Sequence, residues 1–119
     1  GRLRCGVLLQ KGFADFNSTT QTWSGLYVDY CIAIAAAIFD GQTTTKVDIS
    51  GTVTSESRLV ELFSKTVDVL CWPTTATFAR DVNFPAVNDG FTFSPTIFYD
   101  GLGFGGIPPY GDCADRVTT

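Results

Sequence analysis

The sequence predicts an α/β fold built on a mostly parallel sheet, and three observations predict it. Short apolar runs alternate with helical patterns in the order strand, helix, strand, helix, strand between residues 3 and 71. An Ala-rich apolar stretch, 28–39, has the composition of a helix packed closely on a sheet. The chain has 119 residues, 45% of them apolar and 17% charged, which suits one domain with a core of ordinary size. Strands linked through helices run parallel, by right-handed crossovers.

Taken in order, "LRCGVLL" (3–9) is an apolar run bounded by polar and Gly residues and reads as a buried strand. "QKGFADFNSTTQTWSG" (10–25) reads as a long polar loop carrying Phe13, Phe16 and Trp23. Loops that hold aromatics over a scaffold are common binding elements. The helix is expected from Val28 to Phe39, with Gly41 as its stop. A second strand is expected at about 45–53, and an amphipathic helix at about 55–64 with Leu59, Leu62 and Phe63 inward. "TVDVLC" (66–71) is the third strand. Residues 83–106 are rich in Phe, Gly and Pro and predict turns, a short helical or extended stretch near 95–99 and a strand at about 101–105. The division expected is a lobe at 1–105 and a Pro/Gly-containing tail at 106–119, pinned by Cys113.

Composition excludes several functions. The net charge is −4, which argues against nucleic acid and against anionic membrane surfaces, since both require a basic patch. No run approaches the roughly 20 apolar residues of a membrane span. The chain has no His, so it lacks the commonest general base and metal ligand. No Ser or Cys stands beside an obvious base, and no enzyme activity is expected. No cofactor or metal is expected either. The absence of Met implies a processed end near Gly1.

Four Cys, at 5, 31, 71 and 113, are widely spaced without a CxxC pair, which suggests two disulfides and an oxidising compartment. Three connectivities can be drawn, and four buried thiols in a reducing compartment is the alternative. Asn17-Ser18-Thr19 fits the N-glycosylation pattern, and Thr clusters offer further sugar sites. An extracellular or periplasmic location follows.

In parallel α/β sheets ligands sit beyond the carboxyl ends of the strands. The aromatic loop follows the first strand and "WPTTATFARD" (72–81) follows the third. The two meet at one edge if the first strand is central. Hydroxyls, backbone amides near a helix start and one Arg suit a small anion. The plainer reading is a loop that caps a helix, with Arg80 paired to Asp81 or Asp89 and the rings of Phe13, Phe16 and Trp23 packing their loop down.

The ordered set "LRCGVLL", "GFADF", "TWSGLYVDYCIAIAAAIF", "SRLVELFSKTVDVL", "TTATFARD" and "FSPTIFYDGLGF" resembles the first lobe of the polar amino-acid-binding proteins that serve bacterial ABC importers. This is bacterial solute-binding family 3, and the subgroup taking general L-amino acids is nearest. The ligand-binding core of ionotropic glutamate receptors is similar. The resemblance implies a single three-layer lobe of the periplasmic-binding-protein-like (type II) clamshell, binding an L-amino acid without chemistry. It places Phe13 as the ring that stacks on the ligand. Thr75 then offers hydroxyl and N–H to the α-carboxylate, and Arg80 pairs with it. Trp72 and Thr74 line the same loop, whereas Asp29, Arg58 and Leu62 match structural positions. A Cys5–Cys31 disulfide is implied as well, which leaves Cys71 and Cys113 either to pair with each other or to let Cys113 form an intermolecular bond.

The sequence departs from that pattern in three ways. Pro73 stands where the nearest subgroup has Asn. Lys65 stands where Gly is usual, which implies a positive φ. The second lobe, which would contact the ligand's amino group, is absent, and "GDCADRVTT" resembles the stretch where it begins. The partners expected are therefore an L-amino acid and that second lobe. The alternative is a secreted, glycosylated, disulfide-stapled single lobe that self-assembles with further copies.

Overall fold

The computed structural model describes residues 1–41, 45–101 and 103. The chain opens with β1 (Leu3–Val7), followed by a hairpin of β2 (Asp15–Asn17) and β3 (Thr22–Ser24). Then come α1 (Leu26–Ile38), β4 (Val47–Ser50), α2 (Arg58–Phe63), β5 (Val69–Cys71) and α3 (Phe78–Val82). The main sheet has the order β4-β1-β5 and is parallel throughout, with Cys5 opposite Ile49 on one side and Val69 on the other. The first strand is thus central, as the convergence of the two loops requires.

The pleat of β1 assigns its two faces. Cys5 and Val7 bury fully against Val28, Cys31 and Tyr27 of α1. Gly6 faces the other way, where a side chain would collide with Leu70 and press on Val53. That second face holds Val53, Val67 and Trp72, joined by Leu62. The result is helix, sheet and a second apolar layer. Two Arg at the start of β1, Arg4 within it and Arg2 just before it, address its two neighbours: Arg2 Nε donates to Asp48 on β4 (2.7 Å), and Arg4 Nη2 donates to Asp68 just before β5 (2.6 Å). Both pairs are largely exposed, so they favour register more than they add stability.

Residues Tyr27, Val28, Cys31 and Ala35 recur at helical spacing and form the buried stripe of α1. Asp29 lies in its first turn, where a carboxylate suits the helix dipole. The helix closes as Gly41 N–H reaches Ala36 O (2.9 Å) with φ +82° at Gly41. The Cys5–Cys31 disulfide is present and bolts α1 to the central strand. Lys65 has φ +59°, the conformation its place after α2 implies.

Several expectations need correction. Residues 10–25 contain the β2–β3 hairpin; its strands have three residues each, too few to show a period, and its turn uses Gln21 at φ +55° instead of Gly. Phe63 was expected inward but is 47% exposed, because the six-residue α2 packs on β5 through Leu59 and Leu62. Residues 95–99 form neither helix nor strand. The strand expected at 101–105, the 105/106 boundary and Cys113 lie outside the described residues, wholly or in large part. Among the described residues no helix is long and apolar enough to cross a membrane.

Two outcomes follow from this packing. Cys31→Ser removes a cross-link of sequence separation 26 and is expected to lower unfolding free energy by about 3–4 kcal/mol, read by urea denaturation. The Asp68 carboxyl is held below its ordinary value of 3.8, first by the Arg4 side chain and then by the Arg4 N–H. A depressed folded-state value contributes stability that is present above the unfolded-state value and is lost as pH falls through the folded one. The urea midpoint of the wild type is therefore expected to exceed that of Asp68→Asn at neutral pH, with the gap closing between about pH 5 and pH 2.

Candidate functional site

The site is assembled where β1 and β5 end. Beyond β1 the backbone turns at Gln10, whose carbonyl accepts from Phe13 N–H (2.9 Å) and Ala14 N–H (2.9 Å). Phe13 O then accepts from Tyr27 N–H (2.8 Å) in the first turn of α1. This close passage is possible only because position 25 is Gly: φ is +119°, and a Cβ there would lie 2.6 Å from Phe13 O. The Phe13 ring packs 5.0 Å from Tyr27 and meets the edge of Phe98 at 5.4 Å. The other two aromatics of the loop do something else. Phe16 and Trp23 face one another across the hairpin at 4.9 Å, and Trp23 lies against Gly51, where a Cβ would clash at 2.5 Å. They pack the hairpin down; of the three rings, Phe13 is the one that lines the cavity beyond the sheet.

Beyond β5, Trp72 is 8% exposed and sits with Val53 and Val67, so its first role is packing. Thr74 N–H donates to Trp72 O (2.7 Å), a tight turn around Pro73 that Pro favours. Thr74 Oγ1 is buried and has no hydrogen-bond partner among the described residues. Thr75 is exposed, and among the described residues nothing accepts from its N–H or hydroxyl. Its carbonyl accepts from Arg80 Nη1 (2.8 Å), which draws Thr75 and Arg80 together. The plainer reading of this loop is realised in part: Thr77 caps α3 and accepts from Arg80 N–H. The expected surface pairs are not; Arg80 forms no ion pair with Asp81, Asp89 or any other described carboxylate. The helix that follows is short: α3 has five residues, and the N–H of Arg80 in its first turn is taken by the Thr77 side chain.

A second cation was missed. Arg58, matched to a structural position, places its guanidinium 5.9 Å from the Trp72 ring centre. Its Nε is buried without a partner among the described residues. Burial pushes the Arg58 pKa down, and the positive charge of Arg80 lowers it further. Two guanidinium groups, neither ion-paired among the described residues, therefore share a neighbourhood. Nothing in the spacing of 58, 72 and 80 announces this; it depends on α2 packing beside β5.

These elements frame an open trough of about 1080 Å³. Phe13, Tyr30, Trp72, Thr74 and Thr75 line it, and the segment 90–100 forms its far wall, with Tyr30 Oη donating to Ile97 O (3.4 Å). Phe13, Trp72, Thr74 and Thr75 are thus brought together. Arg80 is outside the wall and reaches it through Thr75. Asn17 is exposed at the end of β2, but its Oδ1 accepts from Thr19 N–H (2.9 Å) and Thr20 N–H (3.2 Å), which gives it a turn-capping role.

The fold is similar to that of a periplasmic binding protein, and the relatives include amino-acid-binding proteins, in line with the resemblance read from the sequence. The chain is 35% identical over 106 residues to the general L-amino acid-binding periplasmic protein AapJ of Rhizobium johnstonii, an alignment that covers 87% of this chain and 28% of the relative. It is 33% identical over 106 residues, with the same coverage, to the putative amino-acid ABC transporter-binding protein YhdW of Escherichia coli. The solved structure of an ABC transporter / periplasmic binding protein from Brucella ovis with glutathione bound matches with a TM-score of 0.60 and 44% identity, over 68% of this chain and 24% of that one. No family model matches the chain. The chain spans 28% of the length of these curated relatives.

Gly25 tests the construction of the site. Gly25→Ala forces a Cβ onto Phe13 O and a side chain into a Gly-only backbone region, and is expected to cost about 1–3 kcal/mol in urea unfolding.

Proposed function

We propose that this chain is a ligand-binding lobe of the substrate-binding component of an ABC importer, acting in the periplasm on a solute with an α-amino-acid head. Arg80 pairs with the α-carboxylate, Thr75 supplies N–H and hydroxyl, and Phe13 stacks on the ligand. The observation that carries this reading is the state of Arg80. Its guanidinium is tied to Thr75 O (2.8 Å) and to no described carboxylate, and the N–H and hydroxyl of Thr75 have no acceptor among the described residues. A guanidinium held this way keeps donors for a bidentate carboxylate. Arg58, the second cation, raises the local positive potential for an anion.

The names of the relatives support an amino-acid ligand, and the glutathione of the Brucella ovis structure fits the same chemistry. Glutathione carries a free α-amino and α-carboxylate pair at its γ-glutamyl end. Binding needs no bond to form or break, so no residue has a catalytic role. The ligand's amino group and side chain fall to a second lobe, which is the partner this reading implies. A disulfide-locked core suits an oxidising compartment. The relatives lend nothing to the rival reading of a self-assembling module.

Calorimetry with L-amino acids and glutathione tests the proposal. Heat of binding is expected from at least one of them. It should weaken by about 10–100-fold in Arg80→Ala and less in Arg80→Lys, which keeps charge but loses the fork. Absence of heat with every candidate would sink the reading for this chain.

A further inference from the structure

The sulfur cluster beneath the site is independent of ligand binding. Cys5 of β1, Cys31 of α1 and Cys71 of β5 are 0%, 0% and 4% exposed. Their Sγ atoms all lie within 4.8 Å of one another, and Cys71 Sγ is 3.7 Å from Cys5 Sγ. We propose that, when the Cys5–Cys31 bond is reduced, these three side chains form a buried three-thiol site for a trivalent thiophilic metalloid, of which arsenite is the probe.

The arrangement is a triangle, and that decides between two uses. A thiol that attacks a disulfide must lie nearly in line with the bond it breaks. In-line geometry would put Cys71 Sγ about 5.7 Å from Cys31 Sγ, the 3.7 Å contact extended by an ordinary S–S bond of about 2.05 Å. The actual separation is under 4.8 Å, so Cys71 stands to one side. Three sulfurs in a triangle, carried on three different elements, are placed instead to converge on one atom. Thiolate sulfur selects soft acceptors.

Charge selects the oxidation state. The cluster is surrounded by Val7, Ala14, Tyr27 and Val28, and no polar or charged residue is fully buried among the described residues. Three thiolates around a monovalent or divalent ion would leave two or one negative charges in this apolar core, at a large desolvation cost. A trivalent centre leaves none. Arsenous acid condenses with three neutral thiols to give one neutral trithiolate and three waters, with no change of oxidation state at arsenic. Cys71 also lines the trough, which gives the metalloid a way in.

Reduction must come first, and a phosphine supplies it in the test. The phosphine takes an oxygen atom from water to become the phosphine oxide, and Cys5 and Cys31 each receive a proton. In the oxidised chain the site is closed, so occupancy is gated by the disulfide.

The chain, reduced anaerobically with a phosphine, is titrated with arsenite. Uptake is read by the thiolate-to-arsenic ultraviolet band and by intact mass, and the protected thiols are mapped by alkylation. Expected are a one-to-one adduct with Cys5, Cys31 and Cys71 protected, no adduct before reduction, loss of the adduct in Cys71→Ser and its retention in Cys113→Ser. Circular dichroism of the reduced wild type is followed in parallel. Failure of the reduced wild type to take up arsenite, folded or not, overturns the proposal. So does equally tight binding by Cys71→Ser, or an adduct lost in Cys113→Ser.

Discussion

The lobe depends on one five-residue strand that must satisfy four neighbours at once. β1 has β4 and β5 on its edges and an apolar layer on each face. Its residues divide that work. Cys5 and Val7 fill the α1 side, Gly6 leaves room for Leu70 and Val53 on the other, and Arg4, and Arg2 just before the strand, reach to opposite edges. A slip of one residue would exchange the two faces and bury Arg4. The Cys5–Cys31 bond removes that freedom by fixing the strand to the helix that reads it.

The site inherits its geometry from this strand. Because β1 is central, the loop after it and the loop after β5 leave the sheet side by side at the same end. Phe13 is held by hydrogen bonds to Gln10 and Tyr27, and Thr75 by a guanidinium from its own loop. Each thus has its backbone fixed by a hydrogen bond, and the Phe13 ring is further packed against Tyr27 and Phe98. The same closeness of β1, α1 and β5 brings three sulfurs together below the trough, so the sulfur cluster and the binding loops share one structural cause.

Much of this was legible in the sequence because apolar periodicity is local. The three strands, α1 and α2 each announce themselves within a dozen residues, with ends that moved by a few positions. The central place of β1 followed from topology, and the Cys5–Cys31 bond and the positive φ of Lys65 from the resemblance to a family. The β2–β3 hairpin was not legible, because strands of three residues with Gln21 in the turn show neither alternation nor turn chemistry. Phe63 misled because its helical spacing is correct while α2 is too short to bury it. Arg58 was invisible as a site residue, since its nearness to Arg80 arises only when α2 and the loop after β5 pack over Trp72.

That last contact bears on how the lobe holds two cations that form no ion pair among the described residues, with Glu56 acting on Arg58 only through its charge. The Trp72 ring offers Arg58 the negative face of its π system, a weak substitute for an anion. It does not satisfy the Nε group, which is buried and unpartnered among the described residues. Arg80 spends one donor on a carbonyl, which is a dipole and not a charge. The electrostatic cost is thus reduced but left standing. At the start of β1, by contrast, Asp48 and Asp68 bind Arg2 and Arg4 directly. The contrast within one chain separates the two kinds of Arg. Arg2 and Arg4, at the start of β1, are paired and serve the sheet. Arg58 and Arg80 form no ion pair among the described residues.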